Sequence, residues 1–228
     1  MTKYSIIFED DYLLVVNKPS GLLVIPTPKG EKNTLTNLLN DYLKSKSSST
    51  DSVKAHPCHR LDRDTSGLIL YAKGKSMQQK MMSQFHPPEA RSGVTSGFAT
   101  GDDKKVAKKY LTFIQGKPAK ENGIINYKLE GKEALTKYKI LKYYPQGYSL
   151  VEVELITGRT NQIRLHFKMI GHPIVGERRF AFAKDYPIKS KRLALHSAFI
   201  SFYHPVTNEK MSFTCDMPDD MNPVRKFL

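Results

Sequence analysis

The sequence predicts an α+β fold, rich in strands and with a few helices. Three observations predict it. Short apolar runs bounded by Gly, Pro and acidic turns recur along the whole chain, as strands do. One of them, YSLVEVELI (148–156), alternates Val151, Val153 and Leu155 with Glu152 and Glu154, the period of a half-buried strand. Only three segments change to a period near 3.6. No internal repeat is present, and no linker separates two cores. Residues 1–228 are therefore expected to form a single domain.

In chain order, YSIIF (4–8) and YLLVVNK (12–18) read as strands joined by the acidic turn EDD, and GLLVI (21–25) as a third short run stopped by PTPKG. TLTNLLNDYLK (34–44) reads as a helix. Thr34 can cap it, and Leu35, Leu38, Leu39, Tyr42 and Leu43 share a face. KSKSSSTDS is polar and low in complexity, so 44–56 is expected to be a mobile loop. LILYAK (68–73) is a buried strand. SMQQKMMSQF (76–85) is a helix whose Met77, Met81 and Phe85 are core positions. HPPEARSGVTSGFATGDD, rich in Pro, Gly, Ser and Thr, makes 86–103 a second expected mobile loop. KKYLTFIQG (108–116), LTKYKILKYY (135–144) and 148–156 are strands. TGRTNQIRLHFKMIGHP (157–173) is a helix, capped by Thr160 and stopped at Gly171 and Pro173. RLALHSAFISFYHP (192–205) and KMSFTC (210–215) close the chain as an antiparallel pair.

Thirty-six Lys and Arg against 22 Asp and Glu give a net charge of +14 and a pI near 9.6. An enzyme of small neutral metabolites has no need of that excess, whereas a polyanion with its row of phosphates does. No basic amphipathic helix with a strongly apolar face suggests a membrane surface, and no apolar run approaches the length of a membrane span. MTKYSIIFEDDY places acidic residues after a short apolar run, unlike a signal peptide. Cys58 and Cys215 form no zinc pattern and are expected to be free thiols in a reducing compartment. The chain is expected to be cytoplasmic.

Three stretches could carry chemistry. HRLDRDTSGL (59–68) puts Arg60, Asp62, Arg63 and Asp64 directly before a buried strand. In an extended connection Asp62 and Asp64 face opposite ways, one to solvent and one to a pocket. The plain structural alternative is turn chemistry, with Asp and Thr satisfying local backbone groups. GRTNQIR (158–164) brings Arg159 and Arg164 to a helix start, where backbone N–H groups also favour anions, although a solvated surface helix would look the same. KKVAKKYLTF (104–113) interleaves lysines, Lys108 among them, with Tyr110, a composition suited to unstacked bases or simply to an exposed strand with a core tyrosine.

HRLDRDTSGL, the K-x-Y strand and TGRTNQIRLHFKMIGHPIVG, in that order, resemble the RluA-type pseudouridine synthases. FEDDYLLVVNKPSGLLV resembles the family's first strands and RLALHSAFISFYHPVTNEKMSF its last, so the resemblance runs almost end to end. It is to the short members, the catalytic domain without an S4 domain. The resemblance implies the pseudouridine synthase catalytic fold: a mixed, mostly antiparallel sheet flanked by helices and loops, with an RNA-binding cleft across the sheet. It implies isomerisation of uridine in rRNA or tRNA, with no cofactor and no metal, by an expected monomer. Asp62 matches the family's catalytic aspartate, attacking C1′ or removing the C2′ proton. Arg164 matches the arginine that keeps it ionised. Tyr110 matches the tyrosine that packs on the flipped uracil and helps remove the C5 proton. Arg60 matches the arginine that occupies the vacated space, and Lys108 and Arg159 are expected to bind substrate.

The family's GRTHQIR reads GRTNQIR here, with Asn161 in place of His. His56, His59, His166, His172 and His196 are scattered and read as structural or RNA-contacting. Two rival functions follow from the same residues. An RNA-binding or RNA-chaperone protein that has lost catalysis would carry the same charge, but predicts damage at Asp62, Tyr110 or Arg164. A carboxylate-dependent glycosidase needs a second carboxylate facing the first, and Asp64 is too close in sequence to supply it.

Overall fold

The computed structural model describes residues 4–47, 53–85, 105–181 and 186–222. Among the described residues, ten strands pair into a mixed sheet, and with three α-helices they make the expected α+β fold. By its internal contacts the chain divides into two compact units. The first takes 1–63, 68–107 and 200–214, the second 64–67, 108–199 and 215–228.

In the first unit β1 (Ser5–Glu9) and β2 (Leu13–Lys18) form an antiparallel hairpin, Ser5 opposite Asn17. Asp10 tightens its turn by accepting the backbone N–H groups of Tyr12 and Leu13, both at 2.7 Å. Leu13, Leu14, Val15 and Val16 are completely buried, each side chain contributing about 1.5–3 kcal/mol. β2 neighbours β4 (Ser66–Lys73), which also pairs antiparallel with β3 (Ala55–Pro57). α1 (Leu35–Lys46) buries Leu35, Leu39 and Leu43, and the Thr34 hydroxyl accepts the Asn37 N–H as its cap. α2 (Lys75–Phe85) buries Met81.

GLLVI is not a strand. Leu23 makes one isolated bridge to Thr34, and the Leu23 and Val24 carbonyls accept the first N–H groups of α1, from Leu35 at 2.8 Å and Thr36 at 3.1 Å. The apolar run completes a helix start whose N–H groups have no intrahelical partner. The loop expected over 44–56 is shorter: α1 runs to Lys46 and β3 begins at Ala55, with 48–52 outside the described residues. The loop expected over 86–103 lies wholly outside them.

The second unit is built on β5 (Ala107–Gln115), β8 (Tyr148–Leu155), β7 (Leu135–Tyr144) and β6 (Asn122–Asn126), neighbours in that order and antiparallel throughout. β9 (Leu195–Tyr203) lies on the other side of β5 and runs on into the first unit, where it pairs with β10 (Lys210–Thr214). Val151 and Val153 are buried as the alternation requires. The β7–β8 hairpin ends on stacked rings, Tyr144 and Tyr148, with centroids 4.6 Å apart. α3 (Gln162–Met169) is shorter than its sequence pattern and meets β7 through Phe167, whose ring is 5.8 Å from that of Tyr138.

Candidate active site

The charged stretch begins in the first unit. Leu70 N–H donates to His59 Nε2 at 3.1 Å, and the His59 ring lies 5.2 Å from that of Phe85. Arg60 is exposed and Leu61 is buried. Asp62 is half-buried, and Arg63 and Asp64, both exposed, form a turn. The chain immediately after Asp62 is gripped by its backbone. The Arg63 carbonyl accepts from Gly21 N–H at 2.8 Å and from Lys18 Nζ at 3.0 Å, and Arg63 Nε donates back to the Gly21 carbonyl at 3.1 Å. Lys18 is fully buried at the end of β2, and its ammonium also donates to the Leu22 and Pro19 carbonyls at 2.7 and 3.0 Å. An ammonium has three donors and no acceptor, so three carbonyls offset the cost of burying it. With Leu61 in the core on one side and Arg63 tied on the other, the backbone at Asp62 has little freedom.

The TSG that follows belongs to the second unit. Ser66 and Gly67 pair in parallel with His196 and Ser197 of β9. Gly67 has φ +108, and a side chain there would run into the Ser197 backbone, so only glycine fits. Ser66 Oγ sits 2.9 Å from His196 Nδ1 and accepts from Arg192 Nη2 at 2.6 Å. His196 Nε2 lies 3.3 Å from the Cys215 carbonyl. A carbonyl only accepts, so Nε2 carries the proton and Nδ1 accepts from Ser66. Burial, the largest influence, lowers the His196 pKa to about 4 and keeps the ring neutral. Arg192 continues to Asp220 at 2.8 Å.

Tyr110, in β5, is buried and stands opposite Val153, which stands opposite Tyr138. These three share the face on which α3 packs. Lys108, two residues earlier, points the same way. Part of its surface meets solvent, yet burial at its ammonium end lowers its pKa to about 8.

Arg164, in α3, is buried and bidentate on a residue that the sequence did not single out: Nε donates to Glu177 Oε2 at 2.7 Å and Nη2 to Glu177 Oε1 at 2.8 Å. Burial works against the Glu177 carboxylate, but bonds from Arg164 and from the Arg179 and Phe180 backbones outweigh it and hold its pKa below the usual range. Arg164 Nη1 donates to Asn161 Oδ1 at 3.1 Å. Asn161, not Thr160, is the N-cap of α3, with φ +54, a conformation asparagine tolerates better than most residues. Its side chain caps nothing and serves Arg164 instead. The bend before it is held by the buried Gln162, whose Oε1 accepts from the Thr157 hydroxyl and the Arg159 N–H and whose Nε2 donates to the Leu135 carbonyl and the Thr136 hydroxyl. Arg159 is exposed, its Nε donating to the Glu133 carbonyl at 3.1 Å.

Tyr110, Lys108, Arg159 and Arg164 thus lie in the second unit, and Asp62 and Arg60 in the first. Three of the histidines bond within the second unit: His166 to the Tyr127 carbonyl, His172 to that of Gln115, and His196 as described. The Lys18 cluster, the Ser66–His196–Arg192 chain and Glu177 are the supporting residues that the sequence reading missed. A lysine ending the apolar run LLVVN was the one available signal.

The model of the RNA pseudouridylate synthase family matches residues 12–169, which include Asp62, Tyr110 and Arg164. The chain belongs to this family. Within it the synthase is of the RluA type. It is 33% identical to the dual-specificity RNA pseudouridine synthase RluA of Pasteurella multocida, over 92% of this chain and 91% of that protein. It is 32% identical to the ribosomal large subunit pseudouridine synthase D of Zymomonas mobilis, over 98% of this chain and 72% of that one. The solved structure of human RNA pseudouridylate synthase domain containing 4 has the same fold, with a TM-score of 0.72 at 22% identity over 97% of this chain and 93% of that one. The enzyme is an RNA pseudouridine synthase.

Proposed function

We propose that the synthase isomerises specific uridines in structured ribosomal or transfer RNA, with Asp62 as the catalytic carboxylate. The N1–C1′ bond breaks, the uracil turns, and C5 bonds to C1′. The proton leaves C5 and N1 gains one, so no water, oxidant or metal enters the balance. Asp62 acts as its carboxylate, attacking C1′ or removing the C2′ proton. Arg164 supplies the positive charge that keeps it ionised, and arginine suits the task because it does not lose its proton. Tyr110 packs on the uracil and helps remove the C5 proton. The target must leave the stack to be reached, and Arg60, exposed beside Asp62, fills the space it vacates. Lys108 and Arg159 bind the RNA backbone. The enzyme works as a monomer in the cytoplasm.

The observation that supports this reading is the grip on the HRLDRD loop, which holds the backbone right after the half-buried Asp62, between the exposed Arg60 and Arg63. The test is a single-turnover assay of purified protein on unmodified ribosomal and transfer RNA transcripts. Wild type should form pseudouridine and Asp62→Asn none while still binding RNA. Equal activity in both would overturn the assignment of Asp62.

A further inference from the structure

Asn161 breaks two local rules at once. Its φ of +54 lies in the left-handed region that side chains disfavour, and as the N-cap of α3 it makes no side-chain capping bond. An N-cap asparagine ordinarily turns its oxygen onto the backbone N–H of the second or third helical residue, which would be Ile163 or Arg164. Instead, Oδ1 accepts from the side chain of the buried Arg164, from Nη1 at 3.1 Å. Arginine only donates, so it is the oxygen of the amide that faces it. A strained backbone and an unused cap at the same position point to a purpose outside the helix.

That purpose follows from the shape of the guanidinium. Glu177 takes one edge of the planar fork, through Nε and Nη2. The carboxylate is itself fixed, because Oε1 also accepts the backbone N–H groups of Arg178, Arg179 and Phe180 at 3.0, 2.8 and 3.3 Å. A grip on one edge sets where the fork lies, but that edge can still act as a hinge. The Phe180 ring, its centre 4.9 Å from Arg164 Cζ, limits rocking toward itself and not away. The bond from Nη1 to Asn161 lies off the hinge line and fixes the plane. With it, all three nitrogens of the guanidinium are tied to the protein.

We propose that Asn161 is a positioning residue: through Oδ1 it holds the guanidinium plane of Arg164 in the orientation the isomerisation requires. This rests on the reading of Arg164 as the cation that keeps Asp62 ionised, and goes beyond it by naming the residue that aims that cation. The left-handed backbone belongs to the same device, since an extended N-cap would turn the amide to the helix N–H groups and away from Arg164.

The test uses the full chain and a transcript that wild type modifies. Asn161→Gly removes the amide but suits a positive φ, so its melting temperature should stay within about 3 °C of wild type. Its kcat should fall about ten- to hundredfold while KM changes by less than about twofold. Asn161→Asp tolerates the same φ and keeps an oxygen at the same reach, so it should recover most of the lost kcat. By NMR, the Arg164 Nη1 protons, assigned by the signals that Arg164→Lys removes, should exchange with solvent about tenfold or more faster in Asn161→Gly than in wild type. Wild-type kcat in Asn161→Gly, a kcat in Asn161→Asp no better than in Asn161→Gly, or unchanged Nη1 exchange would overturn the proposal. If wild type forms no pseudouridine in RNA, the isomerase reading fails by itself, and the Nη1 exchange still decides whether Asn161 fixes the guanidinium.

Discussion

Arg164 and Glu177 form a two-bonded ion pair, at 2.7 and 2.8 Å, with side chains only 7% and 1% exposed. Breaking such a pair takes the bidentate carboxylate away from a buried guanidinium. Glu177→Ala should cost about 3–5 kcal/mol, measured by urea unfolding, and the double change Arg164→Met/Glu177→Leu should recover most of that stability while remaining inactive. The pair also predicts a pH effect. The Glu177 pKa is lower folded than its ordinary 4.5, so its contribution is complete above 4.5 and is lost as pH falls through the folded value. Glu177→Gln should flatten that part of the acid limb.

Lys18 should matter as much as a residue of the site. Lys18→Met has nearly the same length but removes a donor from three carbonyls, one of them that of Arg63, 45 residues along the chain, which keeps only its bond from Gly21 N–H. The expected loss is about 2–4 kcal/mol in unfolding free energy. Because the Arg63 carbonyl directly follows Asp62, kcat measured well below the melting temperature should fall as well. A stability loss with unchanged kcat would show that Lys18 supports the fold and not the loop.

The neutral His196 gives stability a second pH dependence. Its folded pKa, about 4, lies below the ordinary 6.5, so the unfolded chain takes up the proton first. Stability is then complete above 6.5 and declines by up to about 3 kcal/mol as pH falls from 6.5 toward 4. His196→Gln should be less stable than wild type at neutral pH and lose less between those values, as unfolding midpoints across the range would show.

Gly67→Ala tests the closing turn of HRLDRDTSG. With φ +108 and the Ser197 backbone in the way, the methyl group cannot be accommodated without moving a strand. A loss of about 3 kcal/mol or more is expected in thermal unfolding.

Much of this was legible in the sequence. The alternation in β8 and the Thr34 cap with its leucine stripe placed those elements correctly, because side chains that repeat along one face are written locally. β3 and β6 were not legible: AHP is three residues ending in proline, and NGIIN has a single apolar pair, so neither shows a period. GLLVI looked like a strand because it is apolar, but its carbonyls are used by α1. The residues matched to the family motifs could be named in advance. Their supports could not, since Lys18 works on backbone carbonyls and Glu177 on an arginine 13 residues away, and neither leaves a pattern in nearby residues.

The central claim is tested most directly by mapping pseudouridine across total RNA from cells lacking the protein, complemented with wild type or with Asp62→Asn. One or a few uridines should lose modification and regain it with wild type alone. Restoration by Asp62→Asn would contradict the account.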